Sequence, residues 1–175
     1  MMRRLLLTLA LCVLAACGAA DDGSSQVPLG IDIHGLTADQ IGHVQVVVLS
    51  RAKSFSCPDL RSTCLRGRVL KQDGSPIDDL VKLKDDQGVE HTAMLFAVDA
   101  AALTSAKGQT FEARMAPGSE YMVVSEVLSK DEPPTLLASG CSAILEKVGG
   151  GQNAAVGVQA FALAEPATCE AVIEK

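Results

Sequence analysis

Hydrophobic and polar residues alternate along most of the chain after residue 26. Every second residue of 27–33 is apolar, and residues 111–115 repeat this pattern. A period of two places one face of a strand against a core and the other face in solvent. In residues 43–50 apolar side chains fall on both faces, which predicts a central strand that is covered on each side. The pattern therefore predicts a β-rich domain.

Turn-forming residues divide the remaining apolar stretches into short segments. Further strands are predicted at residues 67–70, 80–84, 92–98, 121–128 and 154–163. Residues 135–139 and 142–147 are two short segments that flank Gly140-Cys141. One helix is predicted after the leader, over residues 99–107, because Asp99 suits its first position and Gly108 its end. The tail beyond Pro166 is expected to be loose unless Cys169 holds it. Seven to nine short strands at these spacings favour an all-β fold, an antiparallel β-sandwich of the Ig-like kind.

The first 16 residues have a different pattern. Arg3 and Arg4 precede residues 5–16, which are apolar except for Thr8. As a helix this run spans about 18 Å, which is well short of the roughly 30 Å hydrocarbon core of a bilayer. Residues 1–16 are therefore interpreted as the helix of a signal peptide and not as a membrane span.

The run ends in Leu14-Ala15-Ala16-Cys17, which resembles the lipobox of bacterial lipoproteins. The resemblance implies cleavage before Cys17, which then carries the lipid (palmitate among its acyl groups) and anchors an exported protein to a membrane. A plain secretory signal is the alternative. By similarity to enterobacterial lipoproteins, Gly18 as the second mature residue favours the outer membrane.

The remaining chain divides into a tether and a domain. Residues 17–26 are polar and cannot bury a core, so they are predicted to form a flexible tether. Residues 27–175 are long enough for one ordinary domain. We therefore expect a single β-sandwich domain held close to a bilayer by Cys17.

Charge narrows the class of partner. The chain has 15 basic and 21 acidic residues, a net charge of −6, and loss of Arg3 and Arg4 makes the mature protein about −8. A domain this acidic repels phosphate backbones, so nucleic acid is not expected as a partner. The expected partners are the lipid bilayer, reached through acylated Cys17, and an envelope protein.

Four cysteines remain beside the anchor: Cys57, Cys64, Cys141 and Cys169. An exported protein meets an oxidising compartment, so two disulfides are expected. The spacings of 6, 76 and 27 intervening residues lack the close ligand pairs of a zinc site, so no metal is expected. The spacing alone leaves three pairings open.

The order of motifs from Phe111 onward carries a family resemblance. Phe111 leads through Ala116-Pro117-Gly118 to Tyr121 and an apolar strand, and a Gly140-Cys141 pair then precedes a glycine-rich turn and a final strand. This order resembles the transthyretin-like or carboxypeptidase-regulatory-like β-sandwich and is similar to uncharacterised lipoproteins of myxobacteria. In such a domain the Pro-Gly turn lets Tyr121 place its ring in the core and its hydroxyl on nearby backbone.

The same resemblance implies a disulfide pairing. Those relatives carry one cysteine after the second strand and another in a Gly-Cys pair, and Cys57 and Cys141 match these positions. The resemblance therefore favours Cys57–Cys141, which leaves Cys64–Cys169. The local alternative, Cys57–Cys64 with Cys141–Cys169, stays open.

No residues form a recognised catalytic site, so we expect neither enzyme activity nor a cofactor. Ser50 and Lys53 have the Ser-x-x-Lys spacing of penicillin-interacting serine enzymes, but those need the motif at a helix start and a later Lys-Thr-Gly strand. The histidines, His34, His43 and His91, are scattered among polar neighbours. Paired acids at residues 78–79, 85–86 and 131–132 are expected to be solvated loop residues, because calcium needs six to eight oxygen ligands.

Aromatic residues are scarce: the chain has no Trp, one Tyr and four Phe. Most of the phenylalanines fit core positions, and Phe55, in the cysteine loop, is the exception. Binding surfaces depend on exposed aromatic rings, so a lectin is disfavoured. We therefore expect a non-enzymatic structural or protein-contact role in the envelope. The alternative is a small-ligand or glycan-binding module that uses the loops near Phe55 and Cys57.

Overall fold

The structure, a computed structural model, describes residues 23–58, 79–103 and 109–168. The described helical segments include a 3-10 turn (Ala52–Ser54) and α1 (Ala100–Leu103). The strands are β1 (Ser25–His34), β2 (Ile41–Leu49), β3 (Leu80–Val81), β4 (Leu83–Lys84), β5 (Glu90–His91), β6 (Met94–Ala97), β7 (Thr110–Met115), β8 (Met122–Ser129), β9 (Thr135–Cys141), β10 (Gly151–Gln152) and β11 (Val156–Thr168). The all-β prediction is confirmed for the described part of the chain.

The strands form one mixed sheet. Its order is β3-β2-β8-β9-β11-β1-β7-β4-β5, with β6 beside β2 and β10 beside β1. All of these pairs of neighbouring strands are antiparallel except two. The exceptions are β1 with β10 and β1 with β11, which run parallel. The prediction of a wholly antiparallel sheet is therefore wrong at β1.

The parallel pairing follows from the path of the chain after β9. Residues 142–155 return to the end of the sheet where β1 begins. There Gly151 N donates to Ser24 O at 3.0 Å and Asn153 N donates to Gln26 O at 2.9 Å. Because this segment is tied beside the start of β1, β11 begins at the same end and runs in the same direction.

Residues 80–84 connect two distant parts of the strand order. Leu80–Val81 pairs with the end of β2, whereas Leu83–Lys84 pairs with β7. Lys82 alone separates these two short strands, although β2 and β7 stand five strands apart in the order. The sheet therefore curls until its two ends meet at this segment.

The main hydrophobic core lies inside that curl. Alternate residues of β1 and β7, such as Leu29 and Phe111, form one side of this core. Residues of β2 and β8, such as Val46 and Val123, form the other side. Phe96 and Phe111 bring their ring centroids within 4.9 Å. The face assignments that alternation predicts for β1 and β7 are thus the ones that bury apolar side chains.

Two predicted elements differ from the observed ones, and the segment after Cys141 makes only isolated bridges. In this segment Leu145 pairs with Tyr121 and Val148 pairs with Gly118. Residues 92–98 form a strand only from Met94, and Thr92 is buried before it. β11 continues past a break in register between Ala162 and Ala167 and reaches Thr168, where a loose tail was expected.

Some predictions fall outside the described residues. These are the signal helix of residues 1–16, most of the tether, the strand at residues 67–70 and the second half of the helix at residues 99–107. Within the part that the structure describes, no helix has the length and apolar character needed to cross a bilayer.

The close approach of β9 to β11 gives a test of the fold. A Cβ at Gly140 would overlap the carbonyl oxygen of Gln159, whereas a Cβ at Gly30 would meet nothing within 4 Å. We expect Gly140→Ala to lower the free energy of unfolding by about 1–3 kcal/mol, because backbone must shift to make room. Gly30→Ala is the matched control and should stay within about 0.5 kcal/mol of the wild type. Denaturant unfolding measures both, and equal stabilities would contradict this packing.

Candidate functional site

A disulfide joins the loop after β2 to the end of β9. Cys57 and Cys141 are bonded, with their Cα atoms 5.9 Å apart and a sequence separation of 84 residues. Cys141 lies on the outer face of the sheet, the face turned away from the main core. It is in register with Val124 of β8, which is in turn in register with Val47 of β2. Cys17, Cys64 and Cys169 lie outside the described residues, so acylation of Cys17 and the pair Cys64–Cys169 stay predictions.

The disulfide holds a short segment, residues 52–57, over this outer face; we call this segment the cap. Beneath the cap lies a second hydrophobic cluster, to which Val47, Met122 and Val124 contribute. Ala52 of the 3-10 turn is fully buried in that cluster, and the Phe55 ring is half-buried against it. Phe55 is therefore largely a packing residue, and the expectation that its ring stands apart from the core is not met.

Two residues with left-handed backbone fix the corner where the cap begins. Arg51 has φ 52° and Glu120 has φ 54°, although neither is glycine. Ala52 N donates to Glu120 O at 2.8 Å, so one hydrogen bond links the two bends. Left-handed conformations are costly for such residues and persist where surrounding contacts hold them.

Ion pairs provide some of those contacts. Arg51 contacts the Asp79 carboxylate and holds its pKa below the ordinary value, mainly through the side-chain hydrogen bond. Lys53 Nζ lies 2.7 Å from Glu120 and 3.5 Å from Glu146, and the hydrogen bond to Glu120 raises the lysine pKa. At least one partner of each pair is largely exposed to solvent. The pairs therefore fix the orientation of Arg51 and Glu120 more than they add to the free energy of unfolding.

An open cleft of about 560 Å³ lies beside this corner. Its walls include Ser24, Ser50, Lys82, Glu90, Pro117 and Tyr121. The polar walls bring hydroxyl, ammonium and carboxylate groups into one cleft. The Ser50 hydroxyl donates to Asp79 O at 3.0 Å, and Lys53 is held by Glu120, so these two side chains face different partners.

Tyr121 forms the buried end of the cleft. Its ring packs over Gly118, where a Cβ would overlap the phenol oxygen. The hydroxyl lies 3.4 Å from Ala116 O and 3.5 Å from Pro117 O, at the long end of hydrogen-bond distances. Burial raises the pKa of Tyr121 above its ordinary value of 10.0.

The histidines are separated from one another. His34 lies at the end of β1, and His43 is exposed on β2. His91 places Nε2 3.1 Å from Asp85 Oδ2 in the β4–β5 hairpin, and this contact is the main cause that lowers the pKa of Asp85. Within the described ranges, no three His, Cys, Asp or Glu side chains are grouped so that they could hold a metal ion.

The strand pattern did not reveal two features of the outer face. Gln45 Nε2 donates to Glu126 Oε2 at 2.8 Å, and both side chains are fully buried. Phe161 of β11 is 38% exposed, so it does not occupy a core position. The buried Gln45–Glu126 pair had one signal in the sequence, an acid inside the apolar run of residues 121–128. The strand pattern contained no signal for the exposure of Phe161.

Comparison of the sequence with protein-family models and curated proteins, and of the fold with solved structures, finds no match.

The disulfide can be tested by its effect on the cap. In Cys57→Ala/Cys141→Ala we expect the free energy of unfolding to fall by about 2–4 kcal/mol, because the unfolded chain loses a constraint. Hydrogen exchange at residues 52–57 should quicken. A dithiol should have the same effect on these amides in the wild type and none in the double variant. Unchanged exchange in both proteins would contradict the role given to the disulfide.

Tyr121, the one tyrosine, gives a pH test. Its folded pKa lies above the unfolded value, so the unfolded state ionises first as pH rises. The free energy of unfolding should therefore hold below about pH 10 and fall above it. Phenolate absorbance should titrate with a midpoint above 10 in the native protein and near 10 in denaturant. Tyr121→Phe should lose this part of the alkaline dependence; a native midpoint at or below 10 would contradict the buried phenol.

Proposed function

We propose that the chain is an exported lipoprotein, anchored through acylated Cys17, whose β domain makes non-enzymatic contacts with another envelope protein. The Cys57–Cys141 disulfide is the observation that carries this proposal. Structural disulfides persist in oxidising compartments and are rare in the cytosol. The bond thus supports the export that the resemblance of Leu14-Ala15-Ala16-Cys17 to a lipobox implies.

The finer fold belongs to the same proposal. One core cluster takes residues from β1 and β7 on one side and from β2 and β8 on the other. This arrangement supports a β-sandwich of the transthyretin-like kind, with β11 and β1 as the point where the sheet passes from one layer to the other. We further propose that Cys64 pairs with Cys169.

The short tether limits how the domain stands on the membrane. Ser25 is eight positions after Cys17 in the sequence, and a fully extended chain of that length spans at most about 29 Å. The start of β1 therefore stays near the lipid surface. The opposite end of the sheet, with the loops at residues 35–40 and 130–134, is then directed away from the membrane, where a protein partner can reach it. Gly18 favours the outer membrane as the site of attachment.

The alternative, a small-ligand or glycan site near Phe55 and Cys57, has less support. The Phe55 ring is half-buried against the second hydrophobic cluster, and Cys57 is bonded to Cys141. Both side chains are used by the cap itself.

Lipid attachment is tested by labelling cells with a palmitate analogue and separating their membranes. The wild type should incorporate the label and sediment with membranes, because acylated Cys17 inserts its chains in the bilayer. Cys17→Ser should do neither. Cys12→Ser, which changes the leader cysteine, is the matched control and should behave as the wild type. Labelling of Cys17→Ser, or an unlabelled wild type, would contradict the anchor.

The contact role needs a separate readout. Photo-crosslinking groups placed in cells at residues 37 and 131, on the loops directed away from the membrane, should give a defined protein adduct. Recovery of lipid adducts alone would contradict the role.

A further inference from the structure

The edge of β7 that faces away from β1 is paired at one end only. There β4 lies against it, with Leu83 in register with Met115 and Lys84 in register with Arg114. In the described part of the chain no other strand pairs with residues 110–113 on that side. The first part of β7 therefore has an open edge.

The main-chain groups on this edge point outward. Pro28 is in register with Glu112 and has no N–H group, so the two residues cannot exchange the hydrogen bonds of a bonded antiparallel pair. The N–H and C=O groups of Glu112 therefore point away from β1, and those of Thr110, two residues earlier, point the same way. Within the described ranges no loop residue makes a backbone hydrogen bond to either. The edge thus offers a donor and an acceptor at each of these two residues.

The β4–β5 hairpin turns away from β7 and leaves the edge open. Asp85 Oδ1 accepts hydrogen bonds from Gln87 N and Val89 N, each at 2.9 Å. Asp85 Oδ2 lies 3.1 Å from His91 Nε2. These contacts hold a tight turn directly after Lys84, so the chain does not continue along β7.

The core behind the open edge is closed without an added strand. The rings of Phe96 and Phe111 approach to 4.9 Å between centroids, and Phe111 is 5% exposed. Ala113 is buried as well. The edge can therefore stay unpaired in the free protein, and its outward groups are in place before anything binds.

An exposed apolar side chain stands beside the edge. Val89 is 51% exposed. It directly precedes Glu90, which pairs with Lys84, and Lys84 in turn pairs with Arg114 of β7. A strand added along residues 110–113 would therefore have Val89 near one end.

We propose that an extended segment of the partner protein adds to this edge as one more antiparallel strand. Its main chain donates to and accepts from Thr110 and Glu112, and one of its aliphatic side chains packs on Val89. In strand addition the main-chain hydrogen bonds supply affinity and alternate side chains supply specificity. The proposal rests on the contact role proposed above and names the kind of partner, an exposed extended segment without proline at the paired positions.

The position of the edge suits a domain that is anchored at its first strand. Met115 is in register with Ser25, which follows the tether, whereas Thr110 is in register with Gly30. Five residues of strand span about 17 Å. The open part of β7 therefore lies farther from the lipid than the paired part, where an envelope protein can reach it.

The test is a titration of the full-length, isotope-labelled chain in detergent micelles. The probe is an acetylated hexapeptide of alternating valine and threonine between two lysines. Backbone amide shifts should saturate at residues 85–89 and 110–113. Hydrogen exchange should slow at the N–H groups of Thr110 and Glu112 and stay the same at Phe111 and Ala113, whose N–H groups already face β1. This alternation is specific to an added strand.

Matched changes in peptide and protein separate main-chain pairing from other contacts. N-methylation of every peptide amide removes its donors and should weaken binding about fivefold or more. Glu112→Pro removes the outward N–H and should weaken binding by a similar factor, whereas Glu112→Thr keeps that N–H and should bind as the wild type does. Val89→Thr, which is close in shape, should weaken binding about two- to threefold. Spectral dispersion and melting temperature show that each variant is folded, and the methylated peptide tests the pairing on the unaltered protein.

Three results would overturn the inference: no saturable shifts with the peptide, equal binding by the methylated and unmethylated peptides, or equal slowing of exchange at all four residues of 110–113. Shifts at this edge that depend on protein concentration alone would also overturn it, because they would identify a second copy as the occupant. The titration needs neither the anchor nor the natural partner, so its failure counts against this edge alone. A lack of protein adducts in the cellular crosslinking counts against the contact role instead.

Discussion

The parallel ladder between β1 and β11 is the constraint on which the other parts of the structure depend. Six registered pairs, from Leu29 with Val156 to His34 with Phe161, hold the two strands together. On one side of this ladder lie β9, β8 and β2, and on the other lie β7, β4 and β5. Without it the long strand order would separate into two halves, and the core that they enclose would open. The inner residues of the same ladder, Ile31 and Val158, are buried in that core.

The outer side of the sheet is divided at the same ladder. Over β2, β8 and β9 it is covered, because the Cys57–Cys141 disulfide holds the loop after β2 against Val47 and Val124. Over β1 and β11 the outer side carries the exposed pair of Gly30 and Gly157 and the stack of His34 on Phe161. The disulfide therefore constrains one half of the outer side, and the other half has no such covalent link among the described residues.

Alternation predicted the strands well because burial on one face imposes a period of two whatever the topology. It could not predict that β11 runs parallel to β1, since a period of two has no direction; hydrogen bonds from Gly151 and Asn153 decide that. It also misjudged two phenylalanines. Phe55 lies in a loop, yet its ring packs against the second hydrophobic cluster beside the disulfide. Phe161 lies in a strand, yet its side chain is exposed. Alternation also did not predict that Gln45 and Glu126 are buried together. Each is a polar residue in its own strand, and the register between β2 and β8 places them side by side, where they form a hydrogen bond.

The most direct test of this account is the direction of β11, measured by backbone nuclear Overhauser contacts in the labelled protein. The parallel register predicts that Leu29 lies beside Val156 and Ile33 beside Ala160, so contacts advance together along both strands. Contacts in the reverse order, with Leu29 near Ala160 and Ile33 near Val156, would show a wholly antiparallel sheet. They would then contradict both the closed core and the surface on which His34 and Phe161 meet.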